Sequence, residues 1–74
     1  MIDISHTNQL GEVIRAERKR QSLTQEQLAA IAGVGVRFVR ELEHGKASCQ
    51  LGLALDVLQT LGLRLGVQGR AETP

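Results

Sequence analysis

The chain has 74 residues, with nine Lys and Arg against eight Asp and Glu, and its formal net charge at pH 7 is +1. A chain of this length forms one small domain that buries only about 60% of its unfolded surface, which favours a homodimer. The single cysteine excludes an intrachain disulfide and a cysteine-based zinc site, and the apolar runs are too short for a membrane span or a signal-peptide core. We therefore expect a cytoplasmic protein with no metal and no cofactor.

The first predicted helix covers about residues 7–21 and follows a flexible N-terminus at residues 1–6, which shows no periodic pattern. Thr7 is the expected N-cap, because its hydroxyl can accept a hydrogen bond from an early backbone N–H group. One face of this helix is apolar and should pack against the elements that follow. That face carries Leu10, Val13 and Ile14.

Basic residues concentrate in the stretch 15–46, which holds seven basic and four acidic residues. A basic cluster ends the first helix, and it can be either a solvated face or a set of phosphate contacts. The cluster consists of Arg18, Lys19 and Arg20. The one aromatic residue, Phe38, is expected to pack, so the chain lacks the stacking surfaces that single-stranded nucleic-acid binders use. Duplex DNA is therefore the favoured nucleic acid.

The segment 22–46 is typical of two short amphipathic helices joined by a tight turn. Thr24 is a good N-cap for the first of them, and Gln27 can complete a capping box. This helix should end at Gly33, because glycine adopts the left-handed conformation most easily. Its expected packing face carries Leu28, Ile31 and Ala32, with Ala29 small enough for close helix approach.

The second helix of the pair should begin at Gly35 and end at Gly45. An apolar stripe along it is expected to pack, and it consists of Val36, Val39 and Leu42. Arg37 and Arg40 lie off this stripe and stay free for a ligand. Two helices joined in this way form a helix-turn-helix, whose second helix enters the major groove of DNA.

After a loop at residues 46–50, the pattern predicts a helix over residues 51–61 and a strand over residues 63–67. The main apolar face of the helix carries Leu51, Ala54, Leu55, Leu58 and Leu61. A second apolar line, Leu53 and Val57, is expected to face another chain. The strand has no partner within the chain, so it should pair with the same strand of a second copy. Residues 68–74 are expected to form a flexible tail.

The motif resembles the helix-turn-helix of the Xre family of phage-repressor-like DNA-binding proteins. The matching residues are Leu23, Thr24, Gln25, Leu28, Ala29, Ala32, Gly33, Val34, Val39, Glu43 and Gly45. Gly35 and Arg40 depart from the family, which usually has serine at both positions. The resemblance implies an all-α, lambda-repressor-like fold of four to five helices over residues 7–62, and an ion pair between Arg18 and Glu43.

Residues 7–67, which add the short strand to the Xre-like domain, are similar to the HipB-type antitoxins. That resemblance implies a homodimer in which the strand at residues 63–67 pairs across the two-fold axis. It also implies a repressor that binds a palindromic operator in its own promoter and binds a HipA-like serine/threonine kinase toxin.

The candidate DNA contacts follow from these placements. Arg37 and Arg40 are expected to contact bases, because the guanidinium fork matches O6 and N7 of guanine, and Val36 either contacts a thymine methyl group or packs. The expected phosphate contacts are Gln25, by resemblance to the family glutamine, together with Thr24, Lys46, Arg18, Lys19 and Arg20. The expected dimer contacts are Leu53, Val57, Leu63, Leu65 and Val67.

Two alternatives to an antitoxin stay open on the sequence. The chain could be a stand-alone phage-type or restriction-control regulator, which the residues do not separate from an antitoxin. It could also be an Xre-like protein-interaction module that does not bind DNA. An enzyme is not expected, because the chain offers no nucleophile–base set, no paired carboxylates and no phosphate-binding glycine loop.

Overall fold

The computed structural model describes residues 1–70, and this part of the chain forms four α-helices and no β-strand. The helices are α1 (Thr7–Arg20), α2 (Gln25–Ala32), α3 (Val36–Glu43) and α4 (Leu51–Thr60). The predicted all-α fold of four to five helices is confirmed, with four helices in the described residues. Residues 71–74, which belong to the predicted flexible tail, lie outside the described residues. No helix within residues 1–70 is both long and apolar enough to cross a membrane.

The start of α1 differs from the prediction, because the N-cap is His6 and not Thr7. The backbone N–H of His6 donates to the side-chain oxygen of Gln9 at 3.0 Å, which satisfies the cap residue. The hydroxyl of Thr7 instead donates to the backbone carbonyl of Gly45 at 2.7 Å. Thr7 therefore joins the beginning of α1 to the loop after α3, a tertiary contact that local capping signals do not reveal.

The boundaries of α2 agree with the prediction. The backbone N–H of Gln27 donates to the Thr24 hydroxyl at 3.0 Å, and the backbone N–H of Thr24 donates to the Gln27 side-chain oxygen at 2.8 Å. This reciprocal pair is the predicted capping box. Gly33 then ends the helix in the left-handed region, with a φ of 76°. Gly35 is the N-cap of α3 and provides no side-chain cap.

One hydrophobic core joins the four helices. Its buried residues are Ile14, Leu28, Ala29, Val39, Leu42, Ala54, Val57, Leu58 and Leu61. Ile31 is not among them, and its predicted place in the core is wrong, because 65% of its surface is exposed. Helix α2 packs on α3 and α4, and its buried residues are Leu28 and Ala29, so Ile31 lies on the outer side of the helix.

The orientation of α4 corrects two further predictions. Its buried residues are Ala54, Val57, Leu58 and, just past its end, Leu61, which follow the spacing i, i+3, i+4 and i+7 of a single helix face. Val57 is 0% exposed within one chain, so it has no surface to offer to a second copy. Leu51 and Leu55, predicted to pack inside, are exposed. Leu53 is half-buried.

The segment after α4 is held to the core only at its beginning. Gly62 has a φ of +77°, and the backbone N–H of Leu63 donates to the carbonyl of Leu58 at 2.9 Å. Leu63 packs against the core, whereas residues 64–70 are exposed. Residues 63–67 form no strand within the single chain, so the pairing of this segment with a second copy stays a prediction.

Helices α1 and α3 approach closely at Gly11, which is buried. A Cβ atom at this position would lie 2.6 Å from the carbonyl oxygens of both Leu42 and Glu43. Only glycine therefore allows this approach. The contact fixes the C-terminal end of α3 against α1, and so helps to set the orientation of α3.

Candidate nucleic-acid interface

A buried ion pair joins α1 to the end of α3 in the helix-turn-helix. The guanidinium of Arg18 donates through Nε to Oε2 of Glu43 at 2.6 Å and through Nη2 to Oε1 at 3.0 Å. Its Nη1 donates to the carbonyl of Leu23 at 2.8 Å. The side-chain amide of Gln25 donates to the same Glu43 carboxylate at 3.1 Å. The pair between Arg18 and Glu43, implied by the family resemblance, is confirmed.

The electrostatics of Glu43 reflect two opposing effects. Burial alone raises the pKa of this carboxyl, because an ionised group loses hydration in the interior. Hydrogen bonds from Arg18 and Gln25, and the positive charge of Arg18, outweigh burial and hold the pKa below its ordinary value. Arg18 in turn has a raised pKa, chiefly because of its hydrogen bond to Glu43. Both groups therefore stay charged at neutral pH.

This geometry removes Arg18 from the set of phosphate contacts. The residue is buried, and three of its nitrogens donate within the protein. A phosphate group cannot reach it without opening the ion pair. Gln25 is half-buried at the first position of α2, and one of its amide hydrogens points to Glu43. Its phosphate contact stays a prediction.

The exposed face of α3 carries the two arginines predicted to contact bases. The Arg37 side chain is 88% exposed and the Arg40 side chain is 51% exposed. Each has an acidic neighbour: Arg37 Nε lies 3.3 Å from Oε2 of Glu41, and Arg40 Nη2 lies 3.4 Å from Oε2 of Glu26. These exposed pairs are weak, so they leave both guanidinium groups free to exchange partners.

The two apolar side chains near the start of α3 pack inward. Val36 and Phe38 are half-buried and lie against the core cluster. The packing predicted for Phe38 is confirmed. Val36 also packs, as one of its two predicted roles required, and its contact with a thymine methyl group stays a prediction.

The remaining candidates for phosphate contacts lie on the surface around the motif. Lys46 follows α3, and its Nζ lies 3.4 Å from Oε2 of Glu41. Lys19 is exposed near the end of α1, and Thr24 is exposed at the N-terminus of α2. Arg20 is exposed but pairs with Glu17, and its hydrogen bond is the chief reason that the pKa of Glu17 falls to about 2. Their contacts with phosphate stay predictions.

A cleft at the junction of α1, α2 and α3 contains two residues that were not predicted from the sequence to belong to the site. Arg15 and His44, both exposed, line this cleft together with Arg18, Gln25 and Glu43. Arg15 precedes Arg18 by three residues on α1, so helical spacing could have placed it beside the predicted ion pair. His44 lies at the end of α3, where its Nδ1 is 2.8 Å from the Arg40 carbonyl.

Comparison with known proteins decides the family. The family described as "Helix-turn-helix" (HTH_3) matches residues 14–68. This chain belongs to the Xre-type helix-turn-helix family. A relative from Sinorhizobium fredii, the uncharacterized HTH-type transcriptional regulator y4mF, is 46% identical over 63 residues, which cover 85% of this chain and 83% of the relative. The chain is thus a DNA-binding regulator of the helix-turn-helix type.

Solved structures share the fold. A HipB-O1-O2 complex has a TM-score of 0.83 at 22% identity and covers 93% of this chain and 100% of that chain. A HipA-HipB-O2-O3 complex has a TM-score of 0.85 at 21% identity and covers 96% of this chain and 100% of that chain. A third structure, described as MDT Protein, also has a TM-score of 0.85 at 21% identity and the same two coverages.

Proposed function

We propose that this chain is a homodimeric transcriptional repressor whose helix α3 contacts the bases of a palindromic operator. The observation that carries the proposal is the division of α3 into two faces. Val39 and Leu42 are buried in the core. Arg37 and Arg40 are exposed. A helix divided in this way can enter the major groove with its basic face while its apolar face stays packed, and arginine matches the acceptors of guanine.

The proposed phosphate contacts surround that helix on the exposed surface. Lys46 extends the basic face past the end of α3, and Thr24 lies at the N-terminus of α2, where the helix dipole favours an anion. Lys19 and Arg15 are exposed basic residues on α1. Arg18 is left out because it is buried.

The homodimer is proposed from the apolar surface that one chain leaves uncovered. Leu65 and Val67 are exposed after α4, as are Leu51 and Leu55 on α4 itself. A strand formed by residues 63–67 and paired with the same strand of a second copy would cover Leu65 and Val67. This is an isologous contact of the kind that a two-fold dimer requires. Such a dimer would present two α3 helices to one face of the DNA.

The repressor is further proposed to be the antitoxin of its own operon, with a HipA-like kinase as its toxin partner. Support comes from the sequence pattern over residues 7–67, which resembles HipB-type antitoxins, and from the shared fold with a chain of a HipA-HipB-O2-O3 complex. A direct test is co-purification of the chain with the product of the neighbouring open reading frame. A kinase-like neighbour that elutes with the chain supports the antitoxin role, whereas a neighbour of another class leaves a stand-alone regulator.

The DNA-binding part is tested by titrating duplex DNA with single alanine variants. Arg37→Ala and Arg40→Ala should each weaken binding to the preferred sequence by about 1–3 kcal/mol and flatten the sequence preference, whereas Lys46→Ala should weaken all duplexes alike. Arg70→Ala removes an exposed charge outside the motif and serves as the control.

The same titration separates the alternatives. If Arg40→Ala keeps the sequence preference and lowers only the salt dependence, Arg40 contacts phosphate and not a base. Duplex binding that is absent, or insensitive to salt, would contradict the proposal and favour a protein-interaction module.

A further inference from the structure

Glu41 forms ion pairs with two of the candidate DNA contacts, Arg37 and Lys46. Its Oε2 lies 3.3 Å from Nε of Arg37, one helical turn earlier, and 3.4 Å from Nζ of Lys46. The Glu41 side chain is only 32% exposed, whereas that of Arg37 is 88% exposed. One carboxylate oxygen of Glu41 therefore pairs with both Arg37, a candidate base contact, and Lys46, a candidate phosphate contact.

The contact uses the part of Arg37 that base recognition does not need. Glu41 accepts a hydrogen bond from Nε, which leaves the two terminal nitrogens, Nη1 and Nη2, at the open end of the side chain. An end-on fork from these two nitrogens can bond O6 and N7 of guanine. The carboxylate can therefore steady the arginine without taking its place on a base.

The same carboxylate opposes contacts that depend on charge alone. Arg37 and Lys46 would attract phosphate groups from any duplex, and each neutralised phosphate steepens the dependence of log K on log salt by about 0.9. Glu41 cancels one of their two charges and repels the phosphate backbone. An exposed ion pair contributes little to the stability of the fold, so stability alone does not explain the position of this residue.

We propose that Glu41 is a positioning residue that raises sequence discrimination, because it orients Arg37 towards base edges; its negative charge also lowers the attraction of α3 for the phosphates of all duplexes alike. The inference rests on the proposed function of α3 and adds to it an acidic residue on the DNA-binding surface. Its consequence is measurable as a ratio of affinities, which a purely structural role would leave unchanged.

The test compares Glu41→Gln with Glu12→Gln, which makes the same change in charge at an exposed position on α1. Two probes of equal length are used: the duplex enriched by the wild-type chain from a random library, and the unselected library itself. Glu41→Gln should bind the library several-fold more tightly and with a steeper salt dependence, because one opposing charge is lost. Its affinity for the enriched duplex should increase by a smaller factor. The ratio of the two affinities should fall by about threefold to tenfold, whereas Glu12→Gln should keep the wild-type ratio.

A double-variant cycle shows whether Glu41 acts through Arg37. In an Arg37→Ala background, Glu41→Gln should no longer change the ratio of affinities, since the side chain to be oriented is absent. The inference is overturned if Glu41→Gln keeps the wild-type ratio, if Glu12→Gln lowers it equally, or if the effects of Glu41→Gln and Arg37→Ala on the ratio add. A wild-type chain that enriches no sequence overturns the proposed function as well, which separates the two failures.

Discussion

Glu43 joins three helices through one carboxylate, which accepts hydrogen bonds from Arg18 on α1 and Gln25 on α2 while it ends α3. Glu43→Gln would leave the Arg18 guanidinium buried without a counter-charge, and breaking a buried pair in this way costs about 3–5 kcal/mol. We expect the free energy of unfolding to fall by that amount in a urea titration. Glu41→Gln, which opens only exposed pairs, should change it by less than about 1 kcal/mol. Equal effects of the two substitutions would contradict the structural role of the buried pair.

The lowered pKa of Glu43 also predicts how stability depends on pH. In the unfolded chain this carboxyl titrates near its ordinary value of 4.5, and in the folded chain it titrates lower. The unfolded state therefore binds more protons in this range, so the contribution of Glu43 is fully present above pH 4.5 and is lost as the pH falls through the lowered pKa. Melting temperatures recorded from about pH 7 to about pH 3 should fall more for the wild type than for Glu43→Gln. Parallel curves would assign the acid sensitivity to other carboxyls, such as Glu17.

At the scale of the elements, the packing of α1 on α3 gives a paired prediction. Gly11→Ala places a methyl group 2.6 Å from two backbone carbonyl oxygens, so the helices must separate. We expect a loss of about 1–3 kcal/mol in the free energy of unfolding, the usual range for overpacking. Gly52→Ala makes the same change within α4, where no atom beyond the chain neighbours and the helix's own backbone lies within 4 Å of the added group. The higher helix propensity of alanine should make it neutral or stabilising by up to about 1 kcal/mol. Thermal unfolding of both variants checks the pair, and a harmless Gly11→Ala would contradict the close approach.

The elements also show why some features could be predicted from sequence and others could not. The capping box of Thr24 and the left-handed Gly33 depend on residues within one turn, so the limits of α2 follow from the sequence. Helix α4 is apolar on more than one side, and periodicity alone could not decide that Val57 faces the core while Leu51 and Leu55 do not. The roles of Thr7 and Gly11 depend on α3 and the loop after it, more than 30 residues away in the chain. At the site, the exposure of Arg37 and Arg40 followed from their positions off the apolar stripe of α3. Arg15 could have been placed beside the predicted ion pair by helical spacing, whereas His44 is recognised only in the cleft where three helices meet.

At the scale of the whole molecule, the proposed dimer depends on the segment after α4. A chain that lacks residues 64–74 keeps Leu63 on the core but loses Leu65 and Val67, each of which could contribute about 1.5–3 kcal/mol when buried. Sedimentation should show that this shortened chain is a monomer, and a binding titration should show weak affinity for the enriched duplex. Leu65→Pro should have the same two effects, because proline lacks the backbone N–H that donates a hydrogen bond between paired strands. The matched control lacks only residues 68–74 and should remain a dimer. A stable dimer of the shorter chain, with unchanged DNA binding, would contradict the strand and move the interface to Leu51 and Leu55.

The central claim is that two copies of α3 contact a palindromic duplex, and selection of bound sequences from a random duplex library tests it most directly. A two-fold dimer that contacts one face of B-DNA should enrich two inverted half-sites whose centres lie about 10 base pairs apart. Guanine should occur at a fixed position in each half-site, and the Arg37→Ala variant should lose the preference at that position. Enrichment of no sequence, or of a single half-site without an inverted copy, would contradict the claim.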